Sequence, residues 1–266
     1  MKKFILVSPK NRSAYNFRGD LIKEIQKKGY DVVVTGPNKE GIDRIEALGA
    51  KFIEVPVNKN GVNPFADIAY CLKLKNIMKA EKADAILGYT IKPVIYGSIA
   101  AWLAGVKNRT AMVTGAGYLF ASKSMKARII RSISFVLYKL GLGAAQKVIF
   151  QNIDDLNEFV EHGLVRKDKC HVVNGSGVNM NKFTPAEYPK TPTFFFLGRL
   201  VYAKGGMDFV KAAKIVKEKY SNSRFMILGK IDKSVPDAIT AEDLMPYVND
   251  GTVELFPETD NIAQYY

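Results

Sequence analysis

Residues 193–205 read Thr-Phe-Phe-Phe-Leu-Gly-Arg-Leu-Val-Tyr-Ala-Lys-Gly, an order of residue types that predicts a strand, a turn and the start of a helix. In the turn, Gly198 and Gly205 allow backbone N–H groups to approach an anion, and the following helix presents its positive N-terminal end to the same point. Arg199 and Lys204 add two full positive charges. The stretch therefore predicts a binding site for a diphosphate group.

The same alternation of strand and helix runs through the chain. Strand signals occur at residues 3–7, 31–35, 51–55, 85–87, 109–113, 147–150, 193–197, 224–228 and 252–256, and helical spacing occurs at residues 17–28, 42–48, 68–80, 93–103, 123–142, 154–162 and 207–219. Serial alternation is typical of α/β folds with parallel sheets that bind ligands at the carboxyl ends of the strands. A polar, proline-containing segment at 186–192 predicts two domains, 1–187 and 188–266.

The composition, with 47% apolar and 24% charged residues, is that of a folded globular protein. The two cysteines, Cys71 and Cys170, lie far apart without metal-ligand spacing, which fits a reducing cytosol. No apolar run approaches the roughly 18 residues that a membrane span needs. We therefore expect a cytoplasmic protein.

The formal net charge of +13 is unevenly distributed. Between Asp84 and Asp154 the chain contains no acidic residue and nine basic ones. A surface of one sign attracts polyanions, so the charge alone leaves nucleic acid, an anionic membrane and a phosphorylated substrate open.

The predicted helix at 123–142 is amphipathic. Its apolar residues fill one arc, Arg128 and Arg131 lie opposite, and Phe135 and Tyr138 lie among the bases. One interpretation is that the helix buries its apolar arc and leaves a solvated basic back. The other is that the helix lies on an anionic membrane. For that role the candidate residues are Lys123, Lys126, Arg128, Arg131 and Phe135.

Several further motifs accompany the predicted diphosphate turn. They are Tyr15-Asn-Phe-Arg18, Tyr89-Thr-Ile-Lys-Pro93 with Tyr96-Gly97, Val113-Thr-Gly-Ala-Gly-Tyr118, and Gly175-Ser-Gly-Val-Asn179 with Phe183 and Pro185. With these motifs in this order, the whole chain resembles the family 4 glycosyltransferases of GT-B fold, nearest to bacterial enzymes that build capsule, O-antigen and lipid-linked glycans. The resemblance implies an N-terminal Rossmann-like, doubly wound parallel sheet and a second Rossmann-like domain.

In that family the arginine and lysine that match Arg199 and Lys204 hold the diphosphate of a nucleotide sugar and stabilise the charge on the departing nucleotide. Arg199 and Lys204 are therefore the expected catalytic residues. Taken alone, the same two charges also fit surface residues at a helix start. The residues expected to bind the donor are Gly198, Arg199, Lys204, Gly205 and Gly229.

By the same resemblance, the loops that follow the strands of the N-terminal half face the acceptor. Their candidate residues are Arg18, Thr90, Lys92, Gly115, Gly117 and Tyr118. The glycines allow close backbone approach, and Lys92 is expected to pair with an acceptor phosphate, although a turn and a solvated lysine fit as well. The chain has no Asp-x-Asp motif, so neither a metal nor another cofactor is expected.

The function that the resemblance implies is transfer of a sugar, with retention of configuration, from a nucleotide-diphosphate donor, expected to be a UDP-sugar. The acceptor is a lipid-linked or polysaccharide precursor at the inner face of the cytoplasmic membrane. Family members continue with a strand, a Glu-containing turn and a final helix, so this chain is expected to be truncated in its second domain.

Two other functions remain open. The chain could be an inactive remnant or a partner subunit that acts as a membrane-associated scaffold, with a second polypeptide completing the donor site. Nucleic-acid binding is the remaining alternative, and it rests only on basic charge, since no recognisable nucleic-acid-binding module or stacking series is present.

Overall fold

The computed structural model describes residues 1–58, 63–115, 125–232, 237–259 and 261–266, and it divides into two compact units, Met1–Val178 and Asn179–Tyr266. The sequence predicts the division nine residues later, at the polar segment. Side-chain contacts on either side of Val178 agree with the earlier position. Ser176 bonds to Arg18 of the first unit, whereas the ring of Phe183 lies 6.0 Å from that of Tyr266 in the second.

The first unit is built on a parallel sheet, as the alternation predicts. Its strands are β1 (Lys2–Val7), β2 (Tyr30–Gly36), β3 (Lys51–Glu54), β4 (Ala85–Tyr89), β5 (Asn108–Val113), β6 (Lys147–Phe150) and β7 (Cys170–Val172). In the described part of the chain the order across this sheet is β3-β2-β1-β4-β5-β6-β7, and each pair is parallel. The order reverses between β1 and β4, which is where ligands bind in open sheets of this kind.

Helices cover both faces of this sheet. They are α1 (Asn11–Lys27), α2 (Ile42–Glu46), α3 (Pro64–Ala80), α4 (Ser98–Leu103), α5 (Met125–Ala144) and α6 (Ile153–Glu161), with a π-helical turn at Pro93–Gly97 before α4. Residues of α1 and α2 pack into one core layer, and residues of α3 to α6 pack into clusters on the opposite face. The α/β prediction of a doubly wound sheet is confirmed.

Two helices begin earlier than their apolar spacing predicts. Helix α3 begins at Pro64, because the Asn63 side chain accepts a hydrogen bond from the N–H of Ala66 and proline suits the first helical position. This start signal is present in the sequence. Helix α1 begins at Asn11, and no side chain caps it, so no such signal marks its first turn.

The second unit repeats the pattern on a smaller scale. Its elements are β8 (Thr193–Leu197), α7 (Gly206–Lys219), β9 (Arg224–Leu228), α8 (Ala241–Asn249) and β10 (Glu254–Phe256). Among the described residues its sheet has the parallel order β10-β9-β8. The predicted strands at 193–197 and 224–228 are confirmed, and the last strand begins two residues later than predicted. Its buried core is formed by Leu200, Met207, Val210, Ala213, Phe225, Ile227, Ile239, Leu244 and Val253.

Helix α5 turns its most apolar arc away from the core. Val136 and Leu140 are 61% and 58% exposed, whereas Tyr138 is only 2% exposed. The inward side also carries Gly141, where an added Cβ would lie 2.6 Å from the Cα of Ile95. The glycine lets the two backbones approach closely, so this side of the helix packs inward. The interpretation that buries the apolar arc is therefore wrong.

The membrane residues predicted on α5 separate in the structure. Phe135 packs against the same core cluster as Tyr138, with its ring 5.0 Å from that of His162, so its prediction as an outward interfacial aromatic is wrong. Arg128 is exposed and Arg131 is partly buried. Helical periodicity defines an arc, but tertiary packing decides which side faces the sheet. Lys123 and the side chain of Lys126 lie outside the described residues.

Candidate functional site

In the second unit, the turn between β8 and α7 has the architecture predicted for anion binding. Gly198 and Arg199 follow the strand, a 3-10 turn runs over Tyr202–Lys204, and Gly205 has φ +75° just before the helix. The left-handed conformation of Gly205 is the one that glycine adopts without strain. The side chains of Arg199 and Lys204 are exposed, and within the described part of the chain neither forms an ion pair. Their charges are available to a ligand.

The turn is held in place by a second segment of the same unit. The N–H of Tyr202 donates to the carbonyl oxygen of Asp237 at 3.0 Å, and the N–H of Ala203 donates to its carboxylate at 2.8 Å. Asp237 therefore fixes the backbone between the two basic residues. A site that holds an oxyanion depends on this kind of rigid support.

Gly229 has a packing reason to be glycine. A Cβ built at this position would lie 2.3 Å from the carbonyl oxygen of Gly198, closer than real side chains allow. The end of β9 thus lies directly against the start of the diphosphate turn. The structure gives Gly229 a supporting position next to the predicted ligand-binding residue Gly198.

In the first unit, polar side chains meet where the strand order reverses. Ser8 follows β1 and Tyr89 ends β4, and their hydroxyl groups share a hydrogen bond. Ser13 on α1 shares another with Tyr89 at 3.0 Å. Burial raises the pKa of the Tyr89 phenol, so it stays protonated and can donate. Thr90, the next residue, has φ +67°, a conformation that costs a non-glycine residue free energy and often marks functional loops.

Arg18 lies in the same polar cluster. Its side chain is buried, with the guanidinium carbon 5.1 Å from the centre of the Tyr89 ring. Nη1 donates to the carbonyl oxygen of Phe17 at 3.1 Å and to Oγ of Ser176 at 2.8 Å. Gln151 donates to the same Ser176 oxygen at 3.0 Å. Loss of solvent lowers the pKa of the Arg18 guanidinium, and the neighbouring Tyr89 opposes that shift.

Lys92 is already paired within the protein. Its ammonium contacts one carboxylate oxygen of Asp67 on α3, and the hydroxyl of Tyr96 donates to the other oxygen at 3.2 Å. The two charged side chains are only 11% and 9% exposed. Burial, and then the Asp67 carboxylate, raise the pKa of Tyr96 to about 12. The expectation that Lys92 pairs with an acceptor phosphate is therefore corrected, since Asp67 neutralises its charge.

The remaining acceptor candidates are only partly described. Gly115 lies two residues after the end of β5 and has φ +137°, and a Cβ built on it would meet no atom of the described residues within 4 Å. Gly117 and Tyr118 lie outside the described residues. Arg18 and Thr90 come together around Tyr89, as their placement after parallel strands predicts.

Sequence reasoning assigned no individual role to Asp67, Gln151 or Ser176, although Ser176 lies in the motif at Gly175–Asn179. Asp67 carried a signal, because it is a carboxylate on the first turn of a helix whose neighbouring positions are mostly apolar. Gln151 and Ser176 also follow strands, but nothing in their spacing shows that both reach one point. Their convergence on Arg18 depends on the path of the loop after β7.

Two classes of feature are not found in the described part of the chain. No helix there combines the length and apolar content needed to cross a membrane. No group of three or more His, Cys, Asp or Glu side chains is placed there to hold a metal ion.

Comparison with known proteins gives the sites a context. The model of the family "Glycosyl transferase 4-like" matches residues 5–152. An N,N'-diacetylbacillosaminyl-diphospho-undecaprenol alpha-1,3-N-acetylgalactosaminyltransferase of Campylobacter jejuni is 26% identical over 266 aligned residues, which cover 95% of this chain and 68% of that protein. A UDP-Gal:alpha-D-GlcNAc-diphosphoundecaprenol alpha-1,3-galactosyltransferase of Escherichia coli is 28% identical over 209 residues, covering 73% of this chain and 52% of that protein.

Solved structures share the fold. A glycosyltransferase from Rickettsia africae superposes with a TM-score of 0.72 at 17% identity, over all of this chain and 70% of that one. The Anabaena protein Alr3699/HepE, crystallised with UDP and glucose, gives 0.72 at 14% identity and 71% coverage of its chain. These likenesses support the GT-B fold. Because the family model spans more than half of the sequence, this chain belongs to the glycosyl transferase 4-like family.

Proposed function

We propose that this glycosyltransferase moves a sugar from a UDP-sugar to an acceptor linked to undecaprenyl diphosphate. The observation that carries the proposal is the turn between β8 and α7, where Arg199 and Lys204 stand exposed and unpaired among the described residues at the start of a helix. Both curated relatives act, by their names, on diphosphoundecaprenol-linked acceptors, and one uses UDP-Gal. These names support the choice of substrates.

The proposed chemistry needs little beyond charge stabilisation. As the sugar leaves the donor, negative charge develops on the nucleotide diphosphate, and fixed cations with backbone N–H groups stabilise that charge. Arg199, Lys204 and the N–H groups of the glycine turn supply these elements. We propose retention of configuration, with the leaving phosphate accepting the proton of the attacking hydroxyl, and no requirement for a metal ion.

Transfer itself is tested with the full chain. Radiolabelled UDP-galactose and UDP-N-acetylgalactosamine are each incubated with GlcNAc-diphosphoundecaprenol, and label in the lipid phase is counted with and without EDTA. The proposal is supported if the amount of label in the lipid phase is the same with and without EDTA and if the NMR spectrum of the product shows retained anomeric configuration. Absence of transfer from both donors to this acceptor refutes the proposed activity of the chain alone and favours the scaffold alternative. Activity that appears only with a copurifying polypeptide supports a partner that completes the donor site.

Donor binding is tested separately by calorimetry with UDP. Charge-assisted hydrogen bonds contribute about 1.5–3 kcal/mol each, so Arg199→Ala and Lys204→Ala should each lower the affinity for UDP about tenfold or more. Lys211→Ala is the matched control, because Lys211 is an exposed lysine further along α7. Unchanged UDP affinity in both site variants would remove these residues from the donor site.

A membrane surface is part of the proposal. Helices α3, α4 and α5 are neighbours on one face of the sheet. Each has large apolar side chains that are at least 42% exposed, here called the apolar helix face: Phe65, Ile68, Leu72, Trp102, Leu103, Ile130, Ile133, Val136 and Leu140. Exposed apolar groups in such number are typical of interaction surfaces. With Arg128 and Lys139 exposed on α5, the face suits the anionic inner leaflet of the cytoplasmic membrane.

Vesicle sedimentation tests this surface. The double variant Val136→Asn, Leu140→Asn should pellet less with phosphatidylglycerol vesicles. The double variant Arg128→Gln, Lys139→Gln should also pellet less, because its free energy of vesicle binding should weaken by about 1 kcal/mol per lost charge. Ile215→Asn is the control, since Ile215 is 64% exposed but lies in the second unit. Equal pelleting of all four proteins would refute the proposed surface.

A further inference from the structure

Arg18 is a buried cation for which the described residues provide no counter-charge. Its residue is 5% exposed, and none of its hydrogen bonds within the described part of the chain goes to a carboxylate. Its two acceptors are the neutral oxygens of Phe17 and Ser176. Buried charges in proteins are ordinarily paired, because loss of hydration costs free energy that a neutral partner does not restore. An unpaired one therefore indicates an anionic ligand.

Lys92 differs from Arg18 in having a counter-charge. Lys92 is buried to a similar degree, but Asp67 neutralises it. A buried lysine can also lose its proton, whereas an arginine stays charged at any ordinary pH. Of these two cations at the carboxyl end of the first sheet, only Arg18 retains a charge that the described residues do not balance.

The hydrogen bonds of the guanidinium show which of its nitrogen atoms lack a partner. Both hydrogen bonds of Arg18 come from Nη1, while Nε is buried without any partner in the described residues. Nη2 likewise forms no hydrogen bond with the described residues. The edge formed by Nε and Nη2 is one that binds phosphate and carboxylate oxygens in bidentate fashion. The Tyr89 ring under the guanidinium and the Ser176 hydroxyl on Nη1 hold that edge in a fixed orientation.

The position of Arg18 also fits a ligand-binding role. Tyr89 bonds to Ser8 across the point where the strand order reverses, the place at which open parallel sheets bind their ligands. Next to it, Thr90 keeps its strained backbone. Ser176 is further fixed by Gln151, so the support for Arg18 comes from α1, β4 and the loops after β6 and β7.

We propose that Arg18 binds a phosphate-type oxyanion through Nε and Nη2, and that this group is the diphosphate of the acceptor. The choice of the acceptor rests on the proposed function, in which Arg199 and Lys204 already hold the donor diphosphate. Arg18 is then a substrate-binding residue for the anionic part of the acceptor.

The first experiment is titration calorimetry of inorganic pyrophosphate into the full chain carrying Arg199→Ala and Lys204→Ala, which removes the donor site. We expect this protein to bind pyrophosphate and the added Arg18→Met change to weaken binding at least tenfold. Arg166→Met is the control, because Arg166 is exposed and, among the described residues, pairs with Asp168 at the surface. Equal affinity with and without Arg18 would overturn the proposal.

The second experiment separates binding from a structural role. Since Arg18→Met removes an uncompensated buried charge, the ligand-free variant should melt at the same temperature as the parent or higher. A structural arginine predicts a lower melting temperature. If Arg18→Met fails to fold, Arg18→Lys replaces it: this variant keeps a charge but lacks the fork, so pyrophosphate should again bind at least tenfold more weakly. Unweakened binding by a folded Arg18→Lys protein then overturns the proposal.

UDP affinity distinguishes the acceptor diphosphate from the donor diphosphate as the ligand of Arg18. In the chain with intact Arg199 and Lys204, Arg18→Met should leave UDP affinity unchanged, and a tenfold loss would overturn the assignment to the acceptor in favour of the donor. Failure of the proposed function gives a different result. In that case pyrophosphate binding still depends on Arg18, but no sugar is transferred in the assay with UDP-sugars.

Discussion

The buried pair of Asp67 and Lys92 allows a quantitative test of the first unit. Asp67→Asn keeps the size of the side chain and a hydrogen-bonding partner for Tyr96, but it leaves the Lys92 ammonium without a counter-charge. The two side chains are 9% and 11% exposed, so water cannot replace the lost carboxylate. Breaking a buried pair from one side costs about 3–5 kcal/mol.

The low exposure of both side chains decides which magnitude applies. Exposed ion pairs contribute about 0–1 kcal/mol, whereas these two side chains are 9% and 11% exposed and belong to the buried class. The free energy of unfolding should therefore fall by about 3–5 kcal/mol in Asp67→Asn.

Urea unfolding measures this change. Trp102, the single tryptophan of the chain, lies in α4 of the first unit, so its fluorescence reports the unit that contains the pair. The double variant Asp67→Asn, Lys92→Met removes both charges and should return to within about 1 kcal/mol of the parent. A loss below about 1 kcal/mol for Asp67→Asn, or a double variant as unstable as the single one, would refute a buried charge pair.

Two further changes test the donor turn and the N-terminal sheet. Gly229→Ala places a Cβ 2.3 Å from the Gly198 carbonyl oxygen, so overpacking should displace the donor turn at a cost of about 1–3 kcal/mol and weaken UDP binding about 5- to 150-fold in calorimetry. Gly143→Ala, whose added Cβ would meet no described atom within 4 Å, should bind UDP normally. Glu81→Gln should lose about 1 kcal/mol at pH 7, because two lysines hydrogen-bond to the carboxylate and lower its pKa below the ordinary 4.5. This deficit, measured by Trp102 fluorescence, should persist above about pH 4.5 and disappear as the pH falls through the lowered pKa; a deficit independent of pH would contradict it.

Local sequence patterns predicted the order of elements because each pattern acts within a few residues. The apolar run at 193–197 and the glycines that follow it produce the same strand and turn in the structure, with Arg199 and Lys204 exposed beside the helix start. Asn63 and Pro64 mark the start of α3 equally clearly, because an asparagine cap followed by proline signals the first helical turn independently of apolar spacing.

Orientation and partnership were decided only by tertiary structure. The sequence defines an apolar arc on α5, but close packing at Gly141 turns that arc outward and Phe135 inward. Likewise, Lys92 meets its counter-charge across 25 residues of sequence, and Arg18 meets Ser176 across 158.

The α/β alternation, the glycine turn and the types of charge at each strand end follow from the amino-acid sequence alone, because they depend on local propensity and spacing. Only the folded structure decided which cations are neutralised. Charge balance depends on distance and burial in space, and these arise when parallel strands bring distant loops to one edge of a sheet. For that reason Lys92 and Arg18, which look equivalent in the sequence, have different charge surroundings in the folded protein.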